Sequence, residues 1–237
     1  MTAWRRIQRT IDRVPGIGSV ISTASRPTLA VVSIDAKHFR FHYRAWTLYV
    51  AIDAVQGDPL AWVLLPRSER RAGYDALLKH LKAHSPGIGA VVSDWHRSIL
   101  ETVPDHLGGI IHQRCAAHVL RDVYRTLGGR WWHRTGLGRQ HWPMFRRIAL
   151  GLADELAARR YLERMARRYP EYTQALRILR ESLADLYQFS RRPDLPIPRT
   201  SNRIENLMGR LEQRLKTMRG VKTPQTLLRY VTYLLNH

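Results

Sequence analysis

Cysteine is almost missing from this sequence: Cys115 is the only one in 237 residues. A lone thiol closes no intrachain disulfide and cannot build a cysteine-rich zinc fold. Long apolar runs are missing too. None approaches the ~20 residues of a membrane-spanning helix, and the basic N-terminal MTAWRRIQRTIDRV is not followed by the apolar segment of a signal peptide. A cytosolic location without membrane contact is the expectation. Acidic residues are few, 19 Asp and Glu against 39 Lys and Arg, for a net charge of +20. Such an excess selects a polyanionic partner, most simply nucleic acid. Lysine is scarce as well: it occurs at positions 37, 79, 82, 216 and 222, and the other 34 cations are arginines. Arginine suits bidentate phosphate contacts. A GC-rich genome accounts for arginine over lysine, but not for the net excess of positive charge. What is present, 44% hydrophobic and 24% charged residues, fits one elaborated globular domain or two small ones.

Residues up to about Pro27 read as a short basic amphipathic segment and a linker, VPGIGSVISTASRP. Strand-like segments follow at 29–35, about 43–53 and about 60–66, with AVQGDP as a hairpin turn between the last two. ERRAGYDALLKHLKAH has Tyr74, Leu77, Leu78 and Leu81 on one helical face. AVVSD is a fourth strand, WHRSILETVPDHL a short helix and GGIIHQ a fifth strand, so the order is β-β-β-α-β-α-β. From Cys115 onward the pattern is helical: RCAAHVLRDVYRTL, WPMFRRIALGLADELAARRYLERMARRY and EYTQALRILRESLADLYQF. SRRPDLPIPRT is a proline-rich connector, and a last helix starts near Thr200.

Two of the strands end on an aspartate, Asp35 and Asp94. At a strand end an aspartate serves either as a turn residue or as a rigidly held metal ligand. If the two strands are parallel neighbours, both carboxylates lie at the sheet's carboxyl edge, where open α/β sheets build their sites. Two close carboxylates repel unless a proton or cation intervenes, and all-oxygen ligands favour Mg²⁺ or Mn²⁺. Glu205 is the candidate third acid, one position off the apolar stripe Ile204, Leu207, Met208, Leu211, Leu215 and Met218. Asn202 and Glu205 also read as a capping box. Glu212 is the rival carboxylate, on an ordinary solvated helix face.

The strings SIDAKHFR, VVSDWHRSI, QRCAAHVLRDV and TSNRIENLMGRLEQRLKTMRG, in that order, resemble the catalytic domain of DDE transposases of the Mutator-like superfamily and its bacterial insertion-sequence relatives. The resemblance covers roughly residues 28–237. It implies an α/β, ribonuclease H-like mixed sheet flanked by helices and interrupted by an all-α insertion before the last catalytic helix. The implied parts are a first core segment at 28–118, the insertion at 119–199 and the closing core helices at 200–237. It also implies a catalytic and metal-binding triad of Asp35, Asp94 and Glu205, two Mg²⁺ (or Mn²⁺) ions, and a Cys-x-x-His signature in Cys115 and His118. The activity implied is cleavage of DNA at transposon ends and strand transfer into target DNA, by a homo-oligomer at the bacterial nucleoid. Arg203, Arg210, Arg214, Lys216 and Arg219 in the last string are expected DNA contacts. The chain departs from the family in having Asp122 where Asn is frequent. Only about 27 residues precede the core, where relatives carry a DNA-binding domain, so a separate end-recognition protein or a missing domain is expected. A transposase-derived DNA-binding protein and a nuclease without strand transfer are the alternatives.

His112 extends the signature to H-x-x-C-x-x-H, half of a zinc site with no evident fourth ligand. In GGRWWHR, Trp131 and Trp132 lie between Arg130 and Arg134. That arrangement suits stacking on an unpaired base, and it equally suits burial in a helical core. Asp53 reads as a hairpin-turn residue or a fourth acid. Arg159, Arg160, Arg167 and Arg168 read as a solvated face.

Overall fold

The computed structural model describes residues 17–19, 30–41, 44–66, 70–84, 87–217, 223, 227–228, 230–232 and 235. Its strands are β1 (Ile17–Ser19), β2 (Ala30–Phe41), β3 (Arg44–Asp53), β4 (Pro59–Leu65), β5 (Ile88–Ser93) and β6 (Ile111–Arg114). Helices α1 (Arg71–His84) and α2 (Arg97–His106) flank β5 in sequence. Then come α3 (Ala116–Thr126), α4 (Arg130–Arg134), α5 (Gly136–Leu150), α6 (Glu155–Arg168), α7 (Thr173–Leu186) and α8 (Asn202–Thr217). The strand order is β1-β4-β3-β2-β5-β6. The pairs β1/β4, β3/β4 and β2/β3 are antiparallel. The fold is α/β, a mixed sheet flanked by helices.

The chain divides into two compact units. The first comprises residues 1–91, 96–110 and 202–237, and the second residues 92–95 and 111–201. In the first unit the sheet has an apolar layer on each face. Val32, Ile34, Tyr49, Ala51 and Val63 pack with Tyr74, Leu77 and Leu81 of α1 and Ile99 and Val103 of α2. On the other face Trp46, Leu48, Val50 and Ile52 pack with Ile204, Leu207, Met208 and Leu211 of α8. The period-2 alternation of strand side chains sends neighbouring residues of β3 into these opposite layers. Gly73 lets α1 seat against the sheet, since a Cβ there falls 2.0 Å from the Tyr49 ring. The Tyr49 hydroxyl accepts a hydrogen bond from Arg70 N at 2.9 Å.

Strand β2 does not stop at Asp35. It continues six residues to Phe41, paired with β3 in the register Asp35↔Val50, Lys37↔Leu48 and Phe39↔Trp46. The pairing carries the strand past the charge, and His38 Nδ1 lies 2.9 Å from Thr47 Oγ1 in a cross-strand pair. Ile17–Ser19, inside the stretch expected to be linker, pairs with β4. Asp53 is the turn residue: its Oδ1 accepts from Val55 N and Gln56 N, both at 2.7 Å.

The second unit is helical apart from the end of β5 and β6. Its core joins Val119 and Val123 of α3, Phe145 and Ile148 of α5, Leu162 of α6, and Leu176, Leu179 and Leu183 of α7. The long stretch from Trp142 to Tyr169 is two helices, not one. Gly151 closes α5, and the Asp154 carboxylate caps α6 by accepting from Ala157 N at 2.8 Å. Arg199 holds that break by donating to the Leu150 and Leu152 carbonyls. Buried Gln113 of β6 donates to the Arg114 and Leu186 carbonyls and accepts from Phe189 N.

Candidate active site

In the first unit two contacts pin α8 along β2. Glu212 pairs with Lys37 at 2.6 Å and with Lys216 at 2.8 Å. Those bonds, first Lys216 and then Lys37, hold the Glu212 carboxyl down at about 2. At the other end Arg203 Nη1 donates to Gln56 O at 3.0 Å, beside the β3–β4 turn. The helix therefore runs from that turn toward Lys37. Asp35 lies two residues before Lys37, or about 7 Å along the strand. Glu205 lies seven residues before Glu212, or about 10.5 Å along the helix. Asp35 pairs with Val50, whose side chain is in the layer with Ile204 and Met208. The helix that carries Glu205 thus packs on the face of the sheet to which Asp35 belongs. Asp35 and Glu205 are both half-buried. The Asp35 carboxylate also accepts from Ala36 N at 2.8 Å. Glu212, the rival acid, is committed to two lysines.

Asp94 follows β5 directly and belongs to the second unit. Ser93, before it, is fully buried. Trp95, after it, has φ +74°, and it is the one non-glycine residue with positive φ among those described. The Ser93 hydroxyl lies 2.8 Å from His112 Nε2 and accepts from Trp95 N at 3.3 Å. The Trp95 and His112 rings pack against each other, tilted by 48°, with centroids 4.6 Å apart. The Arg114 guanidinium lies 5.8 Å from the Trp95 ring and donates to Ser182 Oγ at 2.9 Å, with Asp185, Asp122 and Asp94 as its surrounding negative charges. Sequence reasoning missed Ser93, Trp95 and Arg114. A left-handed backbone at a tryptophan leaves no trace in residue type.

Burial pushes His112 down to about 4, opposed by the Asp94 charge. The unfolded residue titrates near 6.5. Between those values the unfolded chain binds more protons, so stability is fully present above about 6.5 and is lost as pH falls toward 4. The contribution is at most ~3 kcal/mol. Melting curves taken without divalent ions should fall through this window, and His112→Gln should flatten the slope. An unchanged slope in the variant would contradict the assignment. His112 is thus engaged with Ser93 and Trp95 rather than with Cys115.

The Cys115 thiol is buried and accepts from Ser201 N at 3.2 Å and from Ser201 Oγ at 3.0 Å. Burial raises its pKa, but bonds from His118 and Ser201 together bring it below the ordinary thiol value. The Ala116 N–H donates to Arg199 O at 2.8 Å. The signature therefore holds the chain just ahead of α8, the helix that carries Glu205.

Trp131 and Trp132 have opposite environments. Trp131 is 80% exposed, with the Arg134 guanidinium 6.0 Å from its ring. Trp132 packs on the helical core, edge-on to Trp142, Phe145 and Tyr172 at 6.0–6.4 Å. Arg130, Arg134, Arg203, Arg210, Arg214 and Lys216 are exposed, and Arg219 lies outside the described residues.

Sheet order and flanking helices define a protein of the α/β class. The chain belongs to the Mutator family of transposases, whose family pattern matches residues 59–237. Asp94, Cys115, His118 and Glu205 fall inside that match, and Asp35 falls ahead of it. No curated protein matches the chain. A solved structure similar to part of it is the cryo-EM structure of the simian T-cell lymphotropic virus intasome in complex with PP2A regulatory subunit B56 gamma. That match is 12% identical with a TM-score of 0.30, and covers 56% of this chain and 53% of that one. Among the described residues no helix is long and apolar enough to cross a membrane.

Proposed function

We propose that this chain cleaves DNA at transposon ends and joins the freed 3′-hydroxyl to target DNA, using Asp35, Asp94 and Glu205. The observation that carries the reading is that α8, held by the Lys37–Glu212 and Arg203–Gln56 contacts, packs on the sheet face to which Asp35 belongs and carries Glu205 there. Asp94, directly after β5, is the third acid of the proposal. Carboxylate oxygens are hard donors that fit Mg²⁺ or Mn²⁺. A pair of such ions supplies activation of the attacking oxygen and stabilisation of the leaving oxygen. The residues of the chain hold the ligand set rigid: Glu205 on a helix pinned at both ends, Asp35 within a paired strand, Asp94 at a strand terminus. The arginine-rich surface binds the phosphate backbone. A second copy of the chain in the active complex belongs to the same proposal.

Incubating the protein with terminal-repeat oligonucleotides, supercoiled plasmid and Mg²⁺ tests it. Strand-transfer products support the proposal. Cleavage without joining leaves a nuclease, and bound but uncut DNA leaves a DNA-binding protein. Binding itself should be mainly electrostatic, because the exposed arginines neutralise phosphates without reading base edges. The logarithm of affinity should fall steeply and linearly with the logarithm of salt concentration. Tight, salt-insensitive binding to one sequence would refute this.

A further inference from the structure

We infer that Ser93 and His112 are positioning residues that brace the Asp94 carboxylate through a clamp closed around it. The inference rests on the metal-binding reading of Asp94 and deepens it. The clamp is local. The Ser93 hydroxyl accepts from Trp95 N across the intervening Asp94, and the same oxygen lies 2.8 Å from His112 Nε2. Trp95 is held at φ +74°, a conformation that strains a non-glycine residue and persists only when its surroundings over-determine it. Here the surroundings are the His112 ring on the indole, the Arg114 guanidinium near it, and the Ser93 bond to its amide. The backbone on both sides of Asp94 is thereby fixed. Cys115 N donates to Ser93 O at 2.8 Å and ties the same point to β6. A ligand carboxylate on a short side chain inherits its direction from its Cα, so fixing residues 93 and 95 fixes where Asp94 points.

The test measures Mn²⁺ binding by electron paramagnetic resonance of the free ion, alongside melting temperature and DNA affinity. Ser93→Ala removes one oxygen. His112→Phe keeps a ring on Trp95 and removes the bond, and His112→Gln restores a polar atom near the Nε2 position. Loss of partners that orient a metal ligand typically weakens metal binding 10–100-fold. Ser93→Ala and His112→Phe should each weaken Mn²⁺ by about ten-fold or more, with DNA affinity unchanged, and His112→Gln should recover much of it. Ser93→Ala keeps the test decisive if His112→Phe does not fold. Wild-type Mn²⁺ affinity in a folded Ser93→Ala protein would overturn the inference. Asp94→Asn separates the two claims. If that variant binds Mn²⁺ like wild type, the metal-binding reading fails. If it loses the ion while Ser93→Ala does not, only the brace fails.

Discussion

Replacing Asp94 by Asn should abolish DNA cleavage and leave DNA binding intact or tighter. The amide has nearly the carboxylate's volume, and the clamp around residue 94 uses the backbone and side chains of its neighbours, so the fold should survive. What is lost is a negative ligand. Outer-shell changes at metal sites cost about 10–100-fold, and removal of a ligand should exceed that range. Affinity for DNA should not drop, because one charge that repels phosphates is gone. Single-turnover cleavage and filter binding on the same preparation check both halves. Retained cleavage would remove Asp94 from the active site, and parallel loss of binding would show that the substitution damages the fold.

The adjacent tryptophans should give opposite results on alanine substitution. Trp132 makes edge-on contacts with Trp142, Phe145 and Tyr172 in the helical core. Its removal should cost ~3 kcal/mol, the lower end for a core aromatic because it is half-buried. That corresponds to a fall in Tm of roughly 6–12 °C for a chain of this size. Trp131, 80% exposed, should leave the melting temperature unchanged. If it stacks on an unpaired base, worth ~1–3 kcal/mol, its removal should slow cleavage of intact duplex about ten-fold. The defect should shrink on DNA already mismatched at the cut, where unstacking costs less. Equal activity on both substrates in Trp131→Ala would remove the stacking role.

Residue pattern alone resolves Trp131 and Trp132 poorly, because two neighbouring indoles on a five-residue helix show no periodicity. Asp35 and Asp53 are similar cases. Each follows an apolar run, and each reads as either a turn residue or a ligand. Asp53 proves to be the turn residue because Val55 and Gln56 present their amides to it. Asp35 sits within a strand because Val50, fifteen residues on, pairs with it. Glu205 and Glu212 share one helix, and what separates them is Lys37, a residue from the other end of the chain that claims Glu212. The Cys-x-x-His spacing is visible in the sequence, whereas the partner of the thiol, Ser201, is 86 residues away.

From Ala30 onward the sequence by itself determined the kinds of element and their order, and it supplied the excess of positive charge and the set of acids from which a site can be built. Those follow from local periodicity, capping and composition, which act within a few residues. Tertiary structure alone decided which carboxylates are committed to turns or lysines, which indole is core, how far β2 extends, and that Asp94 sits between a buried Ser93 and a Trp95 of positive φ. These depend on contacts between residues distant in sequence, where a cross-strand partner or a buried ring sets the energy, and no short window of sequence carries that information.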